Sequence, residues 1–157
     1  MRTALLRRVQ AHLLARPDRL DTAQWAWCRN LRAVLDEGAA PEGFRCCLAG
    51  HVLLLDGVYD EPTMLRLSVE RDCGYLGRQA REALDATEAE QRLLFYPSQW
   101  PKAFRAAYYT ASRAEEASVV AAFCDHVLPA ELAPAPARPA IEAERVASPA
   151  WQGARAR

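Results

Sequence analysis

FRCCLAGHVLLL, Phe44 to Leu55, is apolar on almost every side of a helical projection, and only Arg45 and His51 interrupt it. A helix that is hydrophobic all round belongs inside a protein. Shorter segments with one apolar face each flank the stretch on both sides. Together they predict an all-α fold, a compact multi-helix domain wrapped about a buried central helix at about residues 44–56. Asp56-Gly57 closes that helix with a residue free to take positive φ. Leu53 and Leu54 are both expected inside it.

Upstream, Leu5, Leu6, Val9 and Leu13 fall on one arc of a first helix, which Thr3 would cap and Arg16-Pro17 would stop. Its other side carries Arg7 and Arg8, a solvated face. Asp21 and Gln24, three residues apart, have the form of a capping box opening a second helix, DTAQWAWCRNLRAVLDEG, that Gly38 ends. On such a helix Trp25 and Trp27 point about 200° apart, so one enters the core. The other is left nearer the surface, and Trp27 becomes a candidate contact for a partner.

Downstream, Asp60, Glu61 and Pro62 suit a helix start, with Met64, Leu65, Leu67 and Val69 as its apolar face. A further helix from Tyr75 to Ala86 would bury Leu76, Ala80, Ala83 and Leu84. Thr87 with Glu90 and Ser112 with Glu115 form two more capping boxes. The second opens a helix with Val119, Val120, Phe123 and Val127 inside. Between them, LFYPSQWPKAFRAAYYT repeats aromatics every four residues at Trp100, Phe104 and Tyr108, a stripe expected in the core. Tyr96 and Tyr109 lie off it, close to Arg105, and an aromatic and guanidinium surface for a ligand is an available reading. Tyr109 is therefore a second candidate contact.

From Pro129 the composition changes to repeated Ala-Pro steps with little apolar periodicity. The expected organisation is a helical domain over residues 1–128 and a flexible, disordered tail over 129–157. Trp151 in that tail is the third candidate contact.

Charge is balanced, Lys+Arg 20 against Asp+Glu 20, so no long-range field draws the chain to nucleic acid or an anionic membrane. No apolar run reaches the ~20 residues of a membrane span, and MRTALLRRVQAHLLA is too interrupted by charge for a secretion signal. Five cysteines form an odd set in which adjacent Cys46 and Cys47 are poor disulfide partners. A reduced, cytoplasmic protein is expected. Arginine supplies every basic residue but Lys102, and alanine is abundant, as in GC-rich bacterial or phage genomes.

Cys47 and His51 are four apart and would share one helical face, formally two ligands for zinc or a thiol beside a base. A structural zinc site needs about four ligands, and the chain has no C-x-x-C. A reactive thiolate also needs an accessible, electropositive setting, whereas this pair sits among Phe44, Leu48 and Leu55. Small apolar filler is the favoured role for the cysteines, and no cofactor is expected.

The pieces W-x-W, C-C-L-A-G-H and L-F-Y-P-S-Q-W-P, over roughly Val9 to Leu128, resemble a set of small all-helical bacterial and phage proteins. These carry a tryptophan after an N-terminal helix, then Cys-Ile/Leu-Ala-Gly, then a Leu-Phe and a Trp-Pro pair. Several have a separated cysteine pair before the Ala-Gly, where this chain has Phe44-Arg45-Cys46-Cys47. The resemblance implies a helical fold and brings neither an activity nor a site residue. Two function classes follow from the sequence: a non-enzymatic module that binds another protein or a second copy of itself, and a small metal- or thiol-dependent enzyme using Cys47 and His51.

Overall fold

The computed structural model describes residues 1–71 and 74–128. Trp151, Cys73 and the expected tail lie outside the described residues. Among those described, eight α-helices run in order: α1 (Thr3–Ala15), α2 (Leu31–Glu37), α3 (Leu48–Leu55), α4 (Glu61–Glu70), α5 (Tyr75–Ala83), α6 (Glu88–Phe95), α7 (Lys102–Thr110) and α8 (Arg113–Val127). One two-stranded antiparallel ribbon, β1 (Ala26–Trp27) and β2 (Arg45–Cys46), pairs Ala26 with Cys46 and Trp27 with Arg45.

The all-α reading holds, and the central helix is buried as expected. α3 carries Leu48, Ala49, Gly50, His51, Val52 and Leu53 inside the protein and packs against α1 and α5, while α8 covers the other side of α1. Leu6, Val9 and Leu13 of α1 meet Val52 and Leu53 of α3, Met64 and Leu65 of α4 and Phe123 of α8 in one core. Leu54 is only half-buried, unlike Leu53.

The central helix is shorter than its apolar run. Arg45 and Cys46 are extended, Cys47 is the N-cap, and the helix begins at Leu48. The run is apolar throughout because both halves are buried, the first as a strand and the second as a helix, and burial removes the periodicity that would tell them apart. The expected second helix changes more. Asp21 to Asn30 are not helical: the Asp21 carboxylate accepts from the Ala23 amide at 3.2 Å in a local turn, and α2 starts only at Leu31. Gly38 ends it in the left-handed conformation, φ 70°. Residues 25 to 28 instead alternate, Trp25 and Trp27 half-buried, Ala26 and Cys28 buried.

Gly50 lets ribbon and helix meet. A β-carbon there would lie 2.7 Å from Cys46 Cβ, 2.9 Å from Cys46 Sγ and 3.1 Å from Met64 Cε. Elsewhere the local signals act as read. Asp60 caps α4 through the Thr63 amide at 2.9 Å, and the Thr87/Glu90 and Ser112/Glu115 capping boxes are formed. Other details differ: Arg2 rather than Thr3 is the N-cap of α1; Val69 is exposed and Leu67 half-buried; α5 ends at Ala83, itself half-buried, rather than at Ala86; of the aromatic stripe only Trp100 is buried, Phe104 and Tyr108 being half-buried; and Val119 and Val127 are half-buried on α8, where Ala117, Ala121 and Cys124 are buried instead.

Candidate functional site

The stretch between α6 and α7 is shaped by two prolines. The residue before a proline is pushed out of the α region. Tyr96, before Pro97, sits at φ −122°, ψ 99° and ends α6; Trp100, before Pro101, sits at φ −69°, ψ 151° and delays α7. Between them Pro97–Gln99 make one 3₁₀ turn. The chain thereby throws Tyr96 outward, 39% exposed, and Trp100 inward, where it stacks on Phe123 with ring centroids 4.0 Å apart and meets Tyr108 edge-on at 5.3 Å.

A surface cavity of about 240 Å³ opens beside this turn. Trp25, Phe95, Tyr96 and Trp100 supply aromatic walls, Leu94 and Val120 line it as well, and Thr22 and Gln24 add polar groups. Trp25 is held from behind by α5, where a β-carbon at Gly77 would come within 3.3 Å of its ring. Thr22 is committed to the fold, bonded to both Tyr108 and Glu116. The start of α3, Cys47 to Ala49, forms a further wall.

Cys47 therefore reaches the cavity, but as an inert thiol. Burial pushes its pKa up to about 11, against the opposing pull of the Gly50 and Ala49 amides at the helix start. At neutral pH it is protonated and weakly nucleophilic. His51 lines a different cavity, with His12, Arg19, Tyr59 and Glu61. There its Nε2 meets the Arg19 carbonyl oxygen at 3.2 Å, its ring lies 5.3 Å from that of His12, and its Nδ1 has no protein partner. Burial above all, then the neighbouring His12, lowers its pKa to about 4. The two residues that shared a helical face in the sequence thus face different cavities, because Cys47 precedes the helix. Among the described residues no group of three or more His, Cys, Asp or Glu side chains is arranged to hold a metal ion.

Of the other candidates, Tyr109 is 65% exposed, its ring edge-on to Tyr108 at 5.2 Å. Trp27 is half-buried under the Arg45 guanidinium, 5.7 Å from its ring centre. Neither lines the aromatic cavity. Sequence reasoning missed Trp25 and Phe95 as site residues, and it named Tyr96 only as part of a ligand surface with Tyr109 and Arg105, neither of which lines this cavity. The signal available was the Tyr-Pro and Trp-Pro pair, which fixes one aromatic outside and one inside.

Tyr96 also borders a second, larger and more open cleft between α5 and α6. Arg78, Arg81 and Arg92 line it, with Glu88 as the one carboxylate among the described lining residues. Arg92 lies 3.1 Å from Glu88, and Arg81 lies 3.7 Å from Glu82. Arg105 donates to the Ser98 carbonyl at 3.1 Å and so braces the 3₁₀ turn that edges this cleft. No helix among the described residues is long and apolar enough to cross a membrane. Comparison with family models, curated proteins and solved structures finds no match to this chain.

Proposed function

We propose that the protein works by binding another protein, without chemistry of its own, and that the cavity beside Tyr96 is where it takes an apolar anchor from that partner. The observation that carries this reading is the cavity itself: about 240 Å³, aromatic-walled, open to the surface and rimmed by an exposed tyrosine. Binding energy at protein interfaces concentrates where one large side chain fills such a pocket beside Tyr, Trp or Arg. The enzymatic alternative built on Cys47 and His51 is disfavoured by the raised thiol pKa and by the separation of the two residues into different cavities. Cys28, Cys46, Cys47 and Cys124 are unpaired thiols, which suits a reducing, cytoplasmic setting.

Display selection of short peptides against the full chain tests this. Selected peptides are expected to bind with micromolar affinity and to lose at least tenfold against Tyr96→Ala, a substitution at an exposed position that leaves the fold intact by circular dichroism. Peptides that bind Tyr96→Ala as well as the parent protein would refute the assignment.

A further inference from the structure

We infer that the aromatic cavity is guarded by the protein's own chain: Trp151 seats its indole there when no partner is bound, and a partner's anchor has to displace it. This rests on the binding reading above and adds the regulation of that site. Trp151 lies outside the described residues, and it is connected to the cavity by where its segment starts and by what surrounds it in sequence. The described chain ends at Leu128, the C-cap of α8, and Val120 of that same helix lines the cavity. At 1.5 Å of rise per residue the two are about 12 Å apart along the helix axis. Trp151 follows Leu128 by about 23 residues. Any chain of that length reaches about 75–80 Å when fully extended and has an r.m.s. span of about 24–29 Å as a coil. The tether therefore covers the distance without being stretched.

The sequence around Trp151 matches the cavity. None of the described lining residues is charged, and the walls are aromatic and aliphatic, with Trp25, Phe95, Tyr96 and Leu94 among them. Trp151 is the one aromatic residue after Leu128, and from Val146 to Ala154 the sequence VASPAWQGA carries no charge either. The other bulky apolar residues of that stretch, Leu132, Ile141 and Val146, each stand directly beside a glutamate or an arginine. Seating one of them in an uncharged lining would bring an ionised neighbour to its edge, which costs free energy unless the charge is paired. Trp151 avoids that cost. Tethering then multiplies a weak contact, because a linker of matched length holds its ligand at an effective concentration on the order of 1 mM. A segment that binds with a Kd of ~0.1 mM in trans is docked about nine-tenths of the time in cis, and a competing partner binds the guarded chain roughly tenfold more weakly.

The test is fluorine NMR of the full chain grown with fluorotryptophan, Trp151→Phe assigning one of its four tryptophan resonances. A synthetic peptide spanning Val146 to Ala154, with the same label, gives the undocked position. In the parent protein the Trp151 resonance is expected away from that position, and in Tyr96→Ala at or near it. The labelled peptide, titrated with unlabelled protein, is expected to bind Trp151→Ala about tenfold more tightly than the parent. A Trp151 resonance at the undocked position in the parent, a displaced one indifferent to Tyr96→Ala, or equal peptide affinities for the parent and Trp151→Ala would overturn the inference. The cavity assignment would then survive through the Tyr96→Ala loss of the display-selected peptides. Selected peptides that ignore Tyr96→Ala overturn the inference and the cavity assignment together. A displaced resonance that returns on dilution, as a dimer gives way to monomer in sedimentation, assigns the docking to a second copy of the chain and overturns the guarding in cis.

Discussion

Gly50→Ala is the substitution that most directly probes the centre of the fold. In an ordinary helix interior it would be favourable, since alanine exceeds glycine in helix propensity by about 1 kcal/mol. Gly50 has no positive φ to protect, so the sign of the effect is decided by space alone. The added methyl would stand 2.7 Å from Cys46 Cβ and 2.9 Å from its sulfur. Carbon atoms in comfortable contact lie roughly 3.5–4.0 Å apart, so α3 and β2 must separate by about 1 Å. The obstacle is not a flexible side-chain tip, because Cys46 Cβ is fixed to a strand paired with Ala26. Overpacking of this kind costs about 1–3 kcal/mol, and it must also outweigh the propensity gain. We expect a net loss of about 1–2 kcal/mol in urea unfolding followed by tryptophan fluorescence, with an unchanged dependence on urea concentration. In a Cys46→Gly background, where both Cys46 atoms are gone and only the flexible end of Met64, 3.1 Å away, has to give way, the same substitution should become neutral or stabilising. A Gly50→Ala protein as stable as the parent would refute the close approach of ribbon and helix.

Other outcomes follow from particular side chains. Leu53→Ala should cost about 2–5 kcal/mol, because the side chain is wholly buried, and Leu54→Ala should cost clearly less. A loss under about 1 kcal/mol at Leu53 in the same unfolding assay would contradict the placement of α3. His51 gives a pH dependence of definite sign. Its folded pKa is depressed from 6.5 to about 4, so its contribution is fully present above pH 6.5 and is lost as the pH falls toward 4. The slope is up to ~1.4 kcal/mol per pH unit. Urea unfolding of the parent and of His51→Gln at pH 7 and pH 4.5 checks it, the variant being expected to show the flatter dependence. Thr87→Ala removes one half of the capping box on α6 and should cost about 1 kcal/mol, read as a fall in melting temperature. Peptide mapping after brief iodoacetamide treatment at pH 7 should find Cys47 alkylated more slowly than free cysteine, because its pKa stands near 11; rapid labelling would reopen thiol chemistry at the cavity.

What the sequence makes legible here is local. Capping boxes at Thr87 and Ser112, the Asp60 cap and the Gly38 stop lie within a few residues of the groups they satisfy, and all act as read. Asp21 and Gln24 match the same pattern without making a helix. Asp21 is drawn into a turn with Ala23 and a 3.0 Å ion pair with Arg113, a partner far along the chain. The ribbon was concealed for the same reason, since strand 26–27 owes its existence to residues 45–46. The alternation of Trp25, Ala26, Trp27 and Cys28 is its one local trace, a period of two too short to stand out against the helical period of 3.6. The aromatic cavity combines residues near positions 25, 47, 95 and 120, and no window of sequence contains them together.

The pairing of α1 with α8 also sets an order of events in time. Gln10 donates to the Ala121 carbonyl at 3.2 Å across 111 residues of chain, and α1 is sheltered on that side by the last described helix. Translation at ~5–20 residues per second puts about 6–20 s between the appearance of the two. Throughout that interval part of the apolar arc formed by Leu5, Leu6, Val9 and Leu13 lacks its cover on the ribosome. The nascent protein is therefore exposed to misassociation and holdase capture at its first helix until α8 is released.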